Sequence, residues 1–201
     1  MILVAFEGSS IDGEEYTDVV NSAQHAPGWL DSTVSAWSTY GLAVFAVLMV
    51  VGWWRARRVG ADAAMTALAV PVVVVAAYGI DSLLKTLVRE NRPCQTLRVA
   101  TLEACPAQGD WSFPSNHATI AAAAAVALFF VSRRLGAVAV VAALAMAGSR
   151  VWVGVHYPHD VVAGVTVGAL LALGAMVLLR RRPESLVQRI TAGRLRPLLM
   201  S

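Results

Sequence analysis

Between Thr33 and Trp54 the chain runs 22 residues without a charged side chain. A helix needs about 20 mostly apolar residues to cross a bilayer. Four more uncharged stretches follow: Ala63–Ile80, Ala118–Ser132, Leu135–Gly148 and Val161–Leu179, of 18, 15, 14 and 19 residues. The two short ones reach spanning length by running back into Ser115–His117 and on through Arg150 toward Val153. The composition agrees, with 57% of the 201 residues hydrophobic and 14% charged. Soluble domains average about 25% charged residues, and disordered, collagen-like and coiled-coil chains have other signatures. The pattern predicts an all-α integral membrane protein, a bundle of about five transmembrane helices.

Arginine sets the expected orientation. Arg55, Arg57 and Arg58 follow the first stretch, Arg133 and Arg134 the third, and Arg180, Arg181 and Arg182 the fifth. With five spans all three clusters fall on one side, which is cytoplasmic by the positive-inside rule. Residues 1–40 hold six acids and no Lys or Arg, whereas residues 180–201 hold six arginines and one acid, Glu184. The reading is a single membrane-embedded domain over residues 1–201 in the plasma membrane. Residues 1–32 form a short external interfacial segment, amphipathic around Asp18–Leu30; residues 33–179 form the bundle, and residues 180–201 form a basic cytoplasmic tail against anionic lipid. The start Met1–Phe6 lacks the basic, longer apolar pattern of a secretory signal. Trp53, Trp54, Trp111, Trp152 and Tyr157 fall at span ends, as interfacial aromatics do. Gly164, Gly168 and Ala172 make a small-residue stripe suited to helix packing. The bilayer is the expected partner, nucleic acid is not, and the oligomeric state is left open.

Two further segments then face outside, Arg89–His117 and Ser149–Asp160, and the unusual chemistry lies there. Lys85, the sole lysine, and Arg92 are two helical turns apart and share a face if the helix continues. His156 and Asp160 are i and i+4, again one helical face. Ser115, Asn116 and His117 open the third span, where free backbone N–H groups favour an anion. Lys85, Arg92 and Arg150 are three cations without as many nearby carboxylates. Arginine pairs bidentately with phosphate oxygens. Of the two imidazoles, one has a carboxylate that fixes its tautomer and frees the other nitrogen as nucleophile or base. The second histidine is an acid for a leaving oxygen. The set reads as a phosphoryl-transfer site with no metal and no cofactor. His159 reads as a surface or packing residue, His25 as a loop residue, and Asp81 as a partner for Lys85 or a group that tunes the site. Arg89 and Arg98 read as solvated loop residues, with contact to a second phosphate as the alternative. Cys94 and Cys105 either form a disulfide or stay free.

These residues carry a resemblance. Lys85-Thr-Leu-Val-Arg-Glu-Asn-Arg92-Pro93 resembles the K-x6-R-P motif of the type 2 phosphatidic acid phosphatase superfamily. Pro114-Ser115-Asn116-His117 resembles its P-S-G-H motif, with Asn116 in place of Gly. Ser149-Arg150-x5-His156-x3-Asp160 resembles its S-R-x5-H-x3-D motif. Phe113-Pro-Ser-Asn-His-Ala118 is similar to the F-P-S-D-H-A version in bacitracin-resistance type undecaprenyl-diphosphate phosphatases. The resemblance implies that His156 attacks phosphorus to give a phosphohistidine and that Asp160 orients it. It implies that His117 protonates the leaving oxygen and then activates water. Lys85, Arg92, Ser115, the Asn116 backbone and Arg150 would hold the phosphoryl oxygens. The implied activity is hydrolysis of a polyprenyl (undecaprenyl or decaprenyl) diphosphate to the monophosphate at the outer face, recycling the cell-wall lipid carrier. Phosphatidate, phosphatidylglycerol phosphate and a polyprenyl phosphosugar phosphate are alternative substrates. An anionic-lipid transporter or flippase is the non-enzymatic alternative, but it has no need of His117, His156 and Asp160 at these spacings.

Overall fold

The structure, a computed structural model, describes residues 8–181. Most of the basic tail expected over 180–201 lies outside the described residues. The described chain is helical: α1 (Ser9–Gln24), α2 (Gly28–Tyr40), α3 (Leu42–Ala56), α4 (Ala61–Val88), α5 (Pro93–Thr96), α6 (Asn116–Val131), α7 (Arg133–Trp152) and α8 (Pro158–Arg180). Three of these, α4, α7 and α8, are long and apolar enough to cross a membrane. The uncharged stretch over 33–54 is not one straight helix. It is divided between α2 and α3, which meet at Gly41 and bend by 53°; taken together they qualify as a fourth span. A Cβ at Gly41 would collide with the Trp37 carbonyl, so the bend needs glycine.

Helix α6, which carries the third uncharged stretch, is short at 16 residues. It runs about 24 Å at 1.5 Å per residue, less than the roughly 30 Å hydrocarbon layer. Its environment explains its composition. It packs against α3, α4, α7 and α8, and Ala121–Ala125 are buried. Alanine at these positions favours helix and lets four neighbours approach closely. Phe45, Val70, Val74, Leu128, Met146 and Met176 fill the remaining core. The small-residue stripe packs α8 onto α6, where added Cβ atoms at Gly164 and Gly168 would meet the Ser115 and Thr119 carbonyls. Large apolar side chains point outward instead, among them Val47, Val72, Val75, Val141, Leu144, Leu170 and Leu178. An outer surface of this kind suits lipid rather than water.

The interfacial helix begins earlier than expected. α1 starts at Ser9, and the chain breaks at His25–Pro27 within the stretch that was expected to be one amphipathic segment. It is docked on protein: Tyr16 and Val20 are buried in a second cluster with Ala118, Val151, Tyr157 and Val161. Tyr16 donates a hydrogen bond to the Gly154 carbonyl at 2.8 Å. Arg55, Ser132 and Leu135 line a cleft at one end of the bundle. The C-terminal end of α4 and the N-terminal ends of α6 and α8 meet at the other.

Candidate active site

Three chain reversals bring the site together, and two of them differ from the helical spacing read in the sequence. Helix α4 does not continue to Arg92. It ends at Val88, with Arg89 left-handed at φ 56°. Arg92 arrives instead as the residue capping the single turn of α5. His156 likewise lies before α8, not within it. Pro158 opens the helix and Asp160 sits in its first turn, where its Oδ2 accepts the Tyr157 N–H at 2.8 Å. The residue pair meets through a helix cap rather than along a helical face. The turn leading into His156 needs Gly154, which has φ 86° and no room for a Cβ beside Thr101.

A cavity of about 290 Å³ is lined by Lys85, Arg92, Asn116, His117, Arg150 and His156, with Tyr78 and Ile120 also in its wall. Of the sequence-predicted set, only Ser115 and Asp160 stand behind this lining. Ser115 precedes α6 and gives its backbone N–H to the Asp160 carbonyl at 3.0 Å, so α6 and α8 are joined at the site. Its buried Oγ has no hydrogen-bond partner among the described residues, and neither does Arg150 Nε. Lys85 Nζ donates to the carbonyls of Trp111 and Ser112 at 2.7 and 2.8 Å, which leaves a third N–H for the cavity. Asp81 is not a hydrogen-bond partner of Lys85; it accepts from Thr119 at 2.7 Å.

Each ring nitrogen of His156 has a separate environment. Nδ1 is 3.3 Å from Asp160 Oδ2 and 3.4 Å from Ser112 Oγ. Nε2 lies on the cavity side, 3.2 Å from Arg92 Nη1. A guanidinium only donates, so Nε2 carries the lone pair and Nδ1 the proton. Burial, then the charges of Arg92, Lys85 and Arg150, hold His156 well below the ordinary histidine pKa. The ring nitrogen that carries the lone pair thus faces Arg92.

Two of the three cations have a carboxylate partner, and Lys85 has none within ion-pair distance among the described residues. Arg92 donates to Asp110 Oδ1 at 2.9 Å, and Arg150 is 3.5 Å from Glu103. Arg150 also donates to Ser38 of α2. Both acids lie in the 93–112 segment, where Cys94 and Cys105 are joined by a disulfide. His159 is not a plain surface residue. Its Nδ1 is 2.7 Å from Asp12 of α1 and its Nε2 is 2.9 Å from Glu90. Glu90, His159 and Asp160 have ligand atoms within 4.8 Å of one another. Both ring nitrogens of His159 are already engaged by carboxylates, so ion pairing accounts for the group. Sequence spacing could not find Ser112, Glu103, Asp110 or Ser38, because each reaches the site through an irregular or bent path. Arg89 and Arg98 do not line the cavity; Arg89 Nε donates to the Thr86 carbonyl.

The PAP2 superfamily model matches residues 66–184. The chain is 29% identical over 157 residues to undecaprenyl-diphosphatase BcrC of Bacillus subtilis, covering 78% of this chain and 79% of that one. It is 42% identical over 102 residues to the decaprenylphosphoryl-5-phosphoribose phosphatase of Mycobacterium tuberculosis, covering 50% of this chain and 53% of the relative. In structure it resembles a transmembrane PAP2 type phosphatidylglycerolphosphate phosphatase from Bacillus subtilis. The TM-score is 0.66 at 20% identity, over 85% of this chain and 87% of that one. With more than half of its length matched and with all three motif segments around one cavity, the chain belongs to the PAP2 superfamily.

Proposed function

We propose that this membrane phosphatase hydrolyses a polyprenyl diphosphate to the monophosphate at the extracytoplasmic face of the plasma membrane. The observation that carries the reading is the buried, cation-lined cavity with two histidines in its wall. Lys85, Arg92 and Arg150 match the oxygens of a phosphoryl group. The unpartnered Ser115 Oγ and Arg150 Nε, with the first backbone N–H groups of α6, supply further donors. The similarity to BcrC favours the diphosphate of a polyprenol.

The chemistry balances in two steps. His156 Nε2 attacks the terminal phosphorus and the bond to the bridging oxygen breaks. His117 gives that oxygen a proton, and lipid monophosphate leaves. Water, deprotonated by His117, then attacks phosphorus, the P–N bond breaks, and inorganic phosphate departs. Asp160 holds the Nδ1 proton and offsets the charge on the ring. The arginine clusters at the opposite end and the disulfide beside the cavity support an external site.

One observation favours a second reading. Glu103 lines the cavity, and its buried Oε1 has no hydrogen-bond partner among the described residues. A carboxylate there suits a hydroxyl-bearing head group, as in a polyprenyl phosphosugar phosphate. The test is phosphate release by purified protein from undecaprenyl diphosphate, decaprenylphosphoryl-5-phosphoribose and phosphatidylglycerol phosphate. The first reading expects the highest kcat/KM on the diphosphate; preference for the phosphoribose lipid establishes the second.

A further inference from the structure

Ser112 lies outside the three motif segments, yet its carbonyl and its hydroxyl both go to the site. It is fully buried. Its N–H donates to the Glu90 carbonyl at 2.8 Å. Its carbonyl accepts from Lys85 Nζ, also at 2.8 Å. Its hydroxyl donates to Asp160 Oδ2 at 2.5 Å and stands 3.4 Å from His156 Nδ1. One residue thus meets a phosphate-side cation, the orienting carboxylate and the imidazole.

The bonds around Asp160 are lopsided. Oδ2 takes Ser112 Oγ–H, Tyr157 N–H and the His156 side, while Oδ1 is buried without a hydrogen bond. Oδ1 has only the looser ion pair with His159 Nε2 at 3.7 Å, so the hydrogen bonds on Oδ2 do most to fix the rotation of the carboxylate. Of those donors, Tyr157 N–H is fixed by the helix cap, and Ser112 is the side chain that completes the pair. Because the Ser112 proton is committed to Asp160, its oxygen presents only lone pairs to His156. Nδ1 therefore faces two acceptors, Oδ2 and Oγ, and the ring proton is confined there.

We propose that Ser112 is a positioning residue for the nucleophile: its hydroxyl holds Asp160 in place and fixes the His156 tautomer that exposes Nε2 to phosphorus. It touches no substrate atom. The proposal rests on His156 being the nucleophile, as read above.

Ser112→Ala removes the hydroxyl and leaves both backbone bonds, including the one to Lys85. The assay is phosphate release from undecaprenyl diphosphate in detergent with EDTA. Partners that orient a metal-bound histidine in this way are worth about 10–100-fold. We expect kcat to fall by that order, while KM stays within about twofold because phosphate binding is untouched. Ser112→Thr keeps the hydroxyl and should restore most of the turnover. The acid limb of the kcat/KM profile should move up in Ser112→Ala. The reason is that Asp160, relieved of a donor, favours a charged His156 more strongly against Arg92, Lys85, Arg150 and His117, which all oppose it. Unchanged kcat and pH profile, a loss confined to KM, or a Thr variant no faster than Ala would overturn the proposal. Failure of the underlying reading looks different: wild-type protein would then carry no phosphoryl label on His156.

Discussion

His117 and His156 share a cavity wall, and an activated leaving group tests the different roles proposed for them. His117→Ala should slow hydrolysis of the lipid diphosphate by about 10²–10⁴-fold, the usual range for a lost proton donor. Nitrophenyl phosphate needs no such proton, so it should restore the phosphorylation step in the His117 variant, seen as a burst of nitrophenolate, and leave His156→Ala inactive. Equal recovery of both would show the roles to be misassigned. Burial and the surrounding cations depress the pKa of His156, so it is protonated only below the ordinary histidine value of about 6.5. The acid limb of wild-type kcat/KM should accordingly fall below that pH. A limb above it would mean that Asp160 outweighs the cations and burial. At this scale the sequence was legible where chemistry follows from residue type. Lys85, Arg92, Asn116, His117, Arg150 and His156 do line one cavity. Ser112, Glu103 and Asp110 were not legible, since a serine or an acid in an irregular loop acquires meaning only from where the chain runs. The ion pairs of His159 with Asp12 and Glu90 were not legible either, since both partners come from distant segments.

Helix α6 shows how far element-level reading reaches. Hydropathy found its apolar run but could not tell a short lipid-facing helix from a central one, because alanine serves both. Contacts with four helices settle the matter. The break at Gly41 was hidden because an uncharged run says nothing about bending. The left-handed Arg89 was hidden because neither Arg89 nor Glu90 is a strong helix breaker. The small-residue stripe on α8 was read correctly as packing, and it gives a sharp test. Gly168→Ala places a methyl against the Thr119 backbone, which has little freedom to yield. It should destabilise the protein by about 1–3 kcal/mol, as overpacking does. Gly174→Ala meets nothing within 4 Å and should be neutral or stabilising by about 0.5–1 kcal/mol. Denaturation in detergent checks both; equal responses would mean that α6 and α8 are not in close contact.

Across the whole molecule, the arginine clusters and the site chemistry separate to opposite ends of the bundle, and this polarity was the most legible feature of the sequence. It predicts a cytoplasmic signal from a reporter fused at residue 57 and an external signal from one at residue 100; the reverse would place the site in the cytoplasm. The acidic partners of Arg92 and Arg150 were less legible, because the loop that carries them folds back over the cavity it helps to close. The central claim concerns what happens in that cavity, and one measurement addresses it directly. Purified protein in EDTA is mixed with undecaprenyl diphosphate labelled in its terminal phosphate, quenched rapidly and digested. We predict an acid-labile, base-stable phosphohistidine at His156, formed as fast as turnover requires and absent from His156→Ala. Turnover without any labelled intermediate, label that persists in His156→Ala, or activity that vanishes in EDTA and returns with Mg²⁺ would contradict it.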